Sequence, residues 1–95
     1  GSPDRTSTTH TGKLQGRIMN TIGKPVKGAA VVLTDATTRE ETRTKANSKG
    51  KYNFSGLFPG SYTVRAEAAG FKSASGETRI SNDKAAKLDL KLTNE

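Results

Sequence analysis

Apolar side chains alternate with polar ones in a series of short segments along this chain. The clearest stripe is formed by Leu88, Leu90 and Leu92, with Asp89 and Lys91 between them. Because successive side chains of a β-strand point to opposite faces, this alternation predicts strands that are buried on one side. The same period of two appears in residues 14–19, 29–33, 52–54 and 62–67. The pattern therefore predicts an all-β fold.

Turn-forming residues separate these segments at regular intervals. Stretches rich in Gly, Pro, Asn and Ser lie at residues 20–25, 47–50, 58–60, 69–70, 75–76 and 81–84. Turns that recur about every 8–12 residues are typical of β-sandwiches and β-barrels. We therefore expect about seven short strands in one of these two architectures.

Helix is the competing interpretation for residues 37–45. Thr37 and Glu40 have the spacing of a helix capping box. The residues that follow supply no apolar stripe for a helix to bury. We therefore predict a polar strand at a sheet edge, with Arg39, Arg43 and Lys45 on one face.

The composition limits the chain to one small domain and excludes several kinds of chemistry. The 95 residues include 16 Lys and Arg against 9 Asp and Glu, for a formal charge of +7, and no cysteine that could form a disulfide or a thiolate nucleophile. No apolar run approaches the roughly 18 residues of a membrane span, so we expect no membrane insertion. Residues 1–11 have no large apolar side chain; we predict that they are an expression scar and a flexible lead-in, and that residues 12–95 form the domain.

Catalytic signals are weak, and we predict no enzyme activity, no cofactor and no metal site. Ser81 and Lys84 have the Ser-x-x-Lys spacing, but that motif needs a helix and a second domain to build its pocket. Glu40 and Glu41 are adjacent, so on a strand they point to opposite faces and cannot work as a pair. His10 is the one histidine and has no second ligand beside it.

Several turn residues have a structural explanation. Gly23 and Gly50 stand where tight turns require a positive φ, which glycine adopts without steric cost. The Pro59–Gly60 pair matches the centre of a type II turn. Gly28 indicates a bulge or a close backbone approach at the start of a strand. Tyr62 is expected to bury its ring while its hydroxyl reaches a backbone group at one end of the sandwich.

The order of these residues resembles that of the carboxypeptidase regulatory-like domain. The likeness is carried by Gly23, Pro25, Gly28, Gly50, Tyr52, Phe54, Pro59, Gly60, Tyr62, Gly70 and Phe71. The resemblance implies a seven-stranded Greek-key β-sandwich of the transthyretin or prealbumin type. It also implies a monomeric, non-catalytic accessory or structural module, such as those in bacterial secreted proteins and at the N-termini of TonB-dependent outer-membrane receptors. Its partners would then be neighbouring domains of a parent protein, in an extracellular or periplasmic location, although no signal peptide is present.

The chain is more distantly similar to the collagen-adhesin B-type repeats, which often carry an isopeptide bond between a lysine and an Asn or Asp. In those repeats a glutamate that assists the reaction lies four residues after the motif tyrosine. Ala66 occupies that position here, and Glu67 is expected to face the opposite way. The first strand offers only Lys13, at its start. We therefore expect no isopeptide bond.

The basic excess is the first feature of the sequence that points to a ligand. Lys45, Lys49 and Lys51 cluster around one turn, and Arg65, like Arg17, is expected to face outward. If such cations converge on one sheet, they would attract an acidic polysaccharide or another anionic polymer; the alternative is that they only keep the sandwich soluble.

A second ligand hypothesis concerns Phe58, which is expected at a loop tip, where an exposed ring could stack on a neutral sugar. No specific nucleic-acid binding is expected, because most of the five aromatic residues are needed for the core. The sequence therefore predicts an accessory module that acts as a spacer or interaction platform. The alternative is a module that binds carbohydrate or an anionic polymer.

Overall fold

A computed structural model describes residues 11–95. The predictions for residues 1–10, including the one for His10, lie outside the described residues. The described residues contain strands and turns but no helix, so the all-β prediction is confirmed. Residues 37–45 form turn and strand, which settles the competing helical interpretation of that segment, and residues 83–88, where one helical turn is the other alternative to a strand, contain no helix.

Eight strands form in the described part of the chain. They are β1 (Gly12–Asn20), β2 (Ala30–Asp35), β3 (Glu41–Lys45), β4 (Lys51–Leu57), β5 (Gly60–Glu67), β6 (Ala74–Ile80), β7 (Ala85–Lys87) and β8 (Leu90–Leu92). They make two sheets that pack as a sandwich. The larger sheet has the order β3-β2-β5-β6 and is antiparallel throughout. In the smaller sheet β1 is central, with β4 antiparallel on one side and β7 and β8 parallel on the other.

The eighth strand arises because the predicted seventh strand is interrupted. Leu14 pairs with Ala86 and Ile18 pairs with Leu90, so both pairs are 72 residues apart (86 − 14 and 90 − 18) and the register does not change. β7 and β8 are therefore two parts of one strand. The Leu88 N–H still donates to the Gln15 carbonyl at 3.0 Å, so the ladder is interrupted only between the Leu88 carbonyl and Asp89. Apart from this interruption, the predicted seven-stranded sandwich is confirmed.

The interruption is held in place by two hydrogen bonds that replace the ordinary ladder. The carboxylate oxygen Oδ1 of Asp89 accepts the backbone N–H of Arg17 at 2.9 Å. The carbonyl of Leu88 thereby leaves the ladder and accepts a hydrogen bond from the hydroxyl of Tyr52. Through these two hydrogen bonds, the change of backbone direction at residues 88 and 89 links the last strand to both β1 and β4.

Gly16 leaves the space that the Leu88 carbonyl occupies. A Cβ atom at Gly16 would overlap the carbonyl oxygen of Leu88 and would lie 2.9 Å from Cε2 of the Tyr52 ring. The alternation along β1 places this residue on the buried face between Leu14 and Ile18, as predicted. A side chain at this position would therefore push the interrupted strand away from the sheet.

The core lies between the inward faces of the two sheets. No polar or charged residue is among the buried residues of the described chain. The fully buried side chains of largest volume are Leu14, Ile18, Leu33, Ile80, Leu92, Val31 and Val64. The rings of Tyr52 and Phe54 meet edge to face with their centroids 6.0 Å apart. Leu90 and Leu92 are buried as their stripe predicts, whereas Leu88 is only half-buried at the interruption.

The turns agree with the sequence in most places, and the clear disagreement is at Gly60. Gly23 and Gly50 have φ values of 83° and 76°, as tight turns require. Gly28 also has a positive φ, 76°, and a Cβ there would meet nothing within 4 Å, so of its two predicted explanations the close approach is wrong. The bulge fits, because the Gly28 N–H donates to the Ala46 carbonyl while the Ala46 N–H donates to the carbonyl of Ala29, the next residue, each at 2.9 Å. Gly60 begins β5 with a φ of 151°, far from the roughly 80° of a type II turn, so that turn type is also wrong. Pro59 is exposed in the link before it.

The remaining motif residues fasten the ends of the sandwich. The Tyr62 hydroxyl donates to the carbonyl of Phe58 at 2.6 Å, which matches the expected contact at one end. Pro25 forms an isolated bridge with Met19 at the other end. Phe71 is half-buried and bridges to Asn94, and Gly70 beside it has a φ of 85°.

The polar third strand lies at a sheet edge, as predicted. β3 pairs only with β2, and its outward positions include Arg43 and Lys45. Arg39, however, is not on this strand. It lies in the preceding turn with a φ of 67°, so the three-residue basic row is reduced to two.

Replacing Gly16 with alanine should destabilise the domain by about 2–3 kcal/mol, because the new Cβ overlaps backbone that cannot move freely. Gly76→Ala is the matched control, since its Cβ would meet only the ends of the Leu88 and Leu90 side chains, at 3.3–3.5 Å. We expect that control to cost less than about 1 kcal/mol. Urea unfolding followed by circular dichroism measures both. Equal costs for the two substitutions would contradict this account of Gly16.

Candidate functional site

A groove of about 710 Å³ lies over the outward-facing side chains of the small sheet and extends to β3, the edge strand of the larger sheet. Its floor comes from β1 and β4, and its sides come from β7, the interruption and the end of β3. The lining residues are Gln15, Gly16, Arg17, Met19, Thr44, Lys45, Asn47, Lys51, Tyr52, Asn53, Lys87 and Asp89. Exposed polar side chains thus surround an open depression, in contrast to the apolar core on the other side of the sheet.

Strand register brings the polar side chains of the groove together. Arg17 on β1 lies directly opposite Lys51 on β4. In the next row Gln15 has Asn53 on one side and Lys87 on the other. Directly paired residues point to the same face of a sheet, with strands about 4.8 Å apart. The floor of the groove is therefore a small grid of cations and amides.

The groove carries more positive than negative charge. Four of its lining residues are cations (Arg17, Lys45, Lys51 and Lys87), and Asp89 is its one carboxylate. That carboxylate already accepts the backbone N–H of Arg17. The chemistry that the grid offers is recognition of an anion by cations and of hydroxyl groups by the amides of Gln15 and Asn53.

The five ligand residues predicted from the sequence do not form a single site. Lys45 and Lys51 both line the groove, and Lys49 is exposed in the adjoining turn. Arg65 lies on the outer face of the larger sheet, where its Nε is 2.8 Å from Oε2 of Glu67. Phe58 follows the far end of β4, about 20 Å along the strand from Lys51. The condition that these cations converge on one sheet is therefore not met: Lys51 is on the small sheet, whereas Lys45 and Arg65 are on strands of the larger sheet, and of those two only Lys45 reaches the groove.

Lys87, Asp89 and Gln15 were missed as lining residues. Lys87 and Asp89 lie on the polar side of the leucine stripe, which the sequence does reveal. What the sequence does not reveal is that this stripe pairs in parallel with β1, some 70 positions earlier. Long-range pairing therefore creates the groove, and local alternation could only show that these side chains face outward.

Two tyrosines of the fold have raised pKa values. Burial, and to a smaller extent the negative charge of Asp89, raise the pKa of Tyr52 to about 12. Burial, with the charges of Asp35 and Glu40, also raises the pKa of Tyr62. Both phenols are therefore hydrogen-bond donors over the whole physiological pH range.

Metal and membrane signals are both absent from the part of the chain that the structure describes. Residues 11–95 contain no cluster of three or more His, Cys, Asp or Glu side chains that could hold a metal ion. The same residues include no long apolar helix able to cross a membrane. Glu67 is exposed and Ala66 is buried, as expected for a chain that departs from the isopeptide-forming pattern.

Comparison with protein families identifies the chain. The family model of the carboxypeptidase regulatory-like domain matches residues 13–93. The chain belongs to this family. The resemblance of the turn and core residues is thereby confirmed over almost the whole described fold of this regulatory-like domain. A search of curated proteins finds no match.

Solved structures with a similar fold include a pilin and a dioxygenase. The TIE protein of Bacillus anthracis superposes with a TM-score of 0.76 at 20% identity, over 90% of this chain and 17% of that one. The minor pilin of Streptococcus agalactiae gives 0.74 at 17% identity, over 90% and 45%. Hydroxyquinol 1,2-dioxygenase from Pseudomonas putida gives 0.73 at 10% identity, over 100% and 63%. This regulatory-like domain therefore spans less than two thirds of each, and the likeness shows the fold alone.

The raised pKa of Tyr52 predicts a loss of stability in alkali. A folded-state pKa of about 12 against an ordinary value of 10.0 means that the folded domain holds this proton more tightly than the unfolded chain. The stabilisation is complete below pH 10 and should be lost as the pH rises towards about 12. Urea unfolding across this pH range measures the loss.

The two tyrosines allow a direct control for this measurement. Tyr52→Phe should lower stability by about 1–2 kcal/mol at neutral pH, because the half-buried Leu88 carbonyl loses its donor, and should flatten the alkaline decline. Tyr62→Phe should retain the part of the decline that belongs to Tyr52. An unchanged decline in Tyr52→Phe would contradict the assignment.

Proposed function

We propose that this regulatory-like domain is a non-catalytic accessory module of a bacterial surface, secreted or outer-membrane protein, in which it serves as a spacer and interaction platform. The observation that carries the proposal is the direction of the first and last strands. β1 runs parallel to β7 and β8, so the start of β1 and the end of β8 lie at opposite ends of the small sheet. Segments joined to the two ends would be held apart by the length of the sandwich.

Contacts at each end support a rigid spacer. At the start of β1 the N–H of Lys13 donates to the carbonyl of Lys84 at 3.0 Å, which fixes the first strand to the β6–β7 link. At the far end the N–H of Lys72 donates to the carbonyl of Thr93 at 2.8 Å. The chain is thus tied to the fold close to both ends of the described strands.

The comparisons support a module within a longer protein. The TIE protein and the minor pilin each contain this fold as a part of their length. The fold also occurs in dioxygenases, so the non-catalytic role rests on the side chains of this chain. Its described core has no buried charged residue, whereas catalytic acids and bases are commonly tuned by burial and charged neighbours.

A distance measurement tests the spacer. The chain has no cysteine, so Lys13→Cys and Thr93→Cys can carry a pair of spin labels. We expect a narrow distribution near 25–30 Å from the strand rise. The distance should not change when a folded protein is fused to each end. Lys13→Cys with Lys84→Cys is the same-end control and should give a much shorter distance. A broad distribution for the first pair would rule out a rigid spacer.

A second candidate function is stacking of a neutral sugar on Phe58. The observation that favours it is the 63% exposure of this side chain at a loop tip. Ile22 is the other large exposed hydrophobic residue in the described chain and lies at the opposite end, so Ile22→Ala is a matched control.

We expect Phe58→Ala to weaken binding of a neutral glucan several-fold, with little dependence on salt, and Ile22→Ala to leave it unchanged. Amide chemical shifts in an NMR titration measure both affinities. Failure of the original sequence to bind the glucan, or equal weakening by both substitutions, would remove this candidate.

A further inference from the structure

The two outer faces of the sandwich differ in charge. The outer face of the small sheet, here called the basic face, carries five exposed cations and one carboxylate, Asp89. Its cations are Lys13, Arg17, Lys51, Lys87 and Lys91. The outer face of the larger sheet has cations and carboxylates in equal number: Arg43, Arg65 and Arg79 with Glu41, Glu67 and Glu77. Lys45, at the end of the edge strand β3, borders the groove instead. The excess of positive charge on the strands is therefore concentrated on one face.

The cations of the basic face also differ in their partners. On the larger sheet Arg43 is 3.2 Å from Glu41, and Arg65 is 2.8 Å from Glu67. Within residues 11–95 no ion pair involves a cation of the basic face. The Asp89 carboxylate instead accepts the Arg17 backbone N–H. The positive charge on this face is thus available to a ligand.

The register adds like-charge repulsion to this excess. Arg17 and Lys51 are directly opposite each other on adjacent strands. Like charges in that position destabilise a sheet, and an anion placed between them removes the repulsion. Lys13 and Lys91 extend the row along the central strand, because Lys91 pairs with Met19. From Lys13 to Met19 the strand rises about 20 Å, so the cations form a line and do not converge on one point.

The other side chains of the face indicate which polyanion fits. The amides of Gln15 and Asn53 lie directly opposite each other among the cations, and they can donate to and accept from hydroxyl groups. Tyr52 and Phe54 both face the core, so in the described residues no aromatic ring on this face can stack on a nucleobase. The exposed Ile22 and Phe58 lie at the ends of the sandwich, where they cannot anchor this face in lipid.

We infer that the basic face binds a linear acidic polysaccharide, with its carboxylates along the row of cations and its hydroxyl groups at the amides of Gln15 and Asn53. This inference deepens the interaction-platform role proposed above. A chain of uronic acids matches the surface, because it repeats a carboxylate and several hydroxyl groups along one extended direction. The binding energy would come largely from charge, so affinity should fall as salt screens the interaction.

Titration with an oligogalacturonate tests the inference by NMR at physiological salt. We expect saturable amide shifts on β1, β4 and β7, with few on β5 and β6. The double substitution Arg17→Gln and Lys87→Gln should weaken binding about tenfold. Arg43→Gln with Arg79→Gln is the control, since it removes the same charge from the other face and should change affinity less than twofold.

Three results would overturn the inference. They are no binding by the original sequence, equal weakening by the two double substitutions, and tighter binding to duplex DNA or to phosphatidylglycerol vesicles than to the oligogalacturonate. Amide shifts on the original sequence map the face even if a variant fails to fold. The spin-label distance would be unaffected by any of these results, so the spacer role and the polysaccharide site can fail separately.

Discussion

The hydrogen bond from the Tyr52 hydroxyl to the Leu88 carbonyl is the contact on which the small sheet depends. It requires a tyrosine on β4 that crosses beneath β1, a glycine at position 16 that leaves the passage open, and a carbonyl that has left its ladder. Asp89 completes the arrangement by taking the place of that carbonyl in the ladder. The three strands are therefore joined by side chains as well as by backbone, at the point where the backbone pairing between β1 and the last strand is interrupted.

The same interruption connects the core to the candidate site. Asp89 is the one carboxylate in the groove, and its partner is the backbone of Arg17. The acidic side chain that could have neutralised a neighbouring lysine is therefore used for structure. The excess of positive charge on the basic face thus follows in part from the hydrogen bond by which Asp89 attaches the last strand to β1.

Local alternation was sufficient to predict most strands and their buried faces. Leu14, Gly16 and Ile18 do face the core, and the polar β3 does lie at an edge. Alternation could not predict the interruption, because Leu88 and Asp89 keep the period of two while their backbone leaves the ladder. It also could not predict the groove, whose lysines and amides meet through pairing between distant segments. For Arg65 alternation correctly predicted an outward side chain, but it could not predict that this side chain lies on the larger sheet, away from the groove.

The parallel arrangement of β1 with β7 and β8 has a mechanical consequence. Tension applied at the start of β1 and the end of β8 would pull these neighbours along their length in opposite directions. The hydrogen bonds between them lie across that direction, and in parallel pairs they are evenly spaced. They would therefore be loaded in shear and share the force, whereas a hairpin pulled from its open end separates one bond at a time.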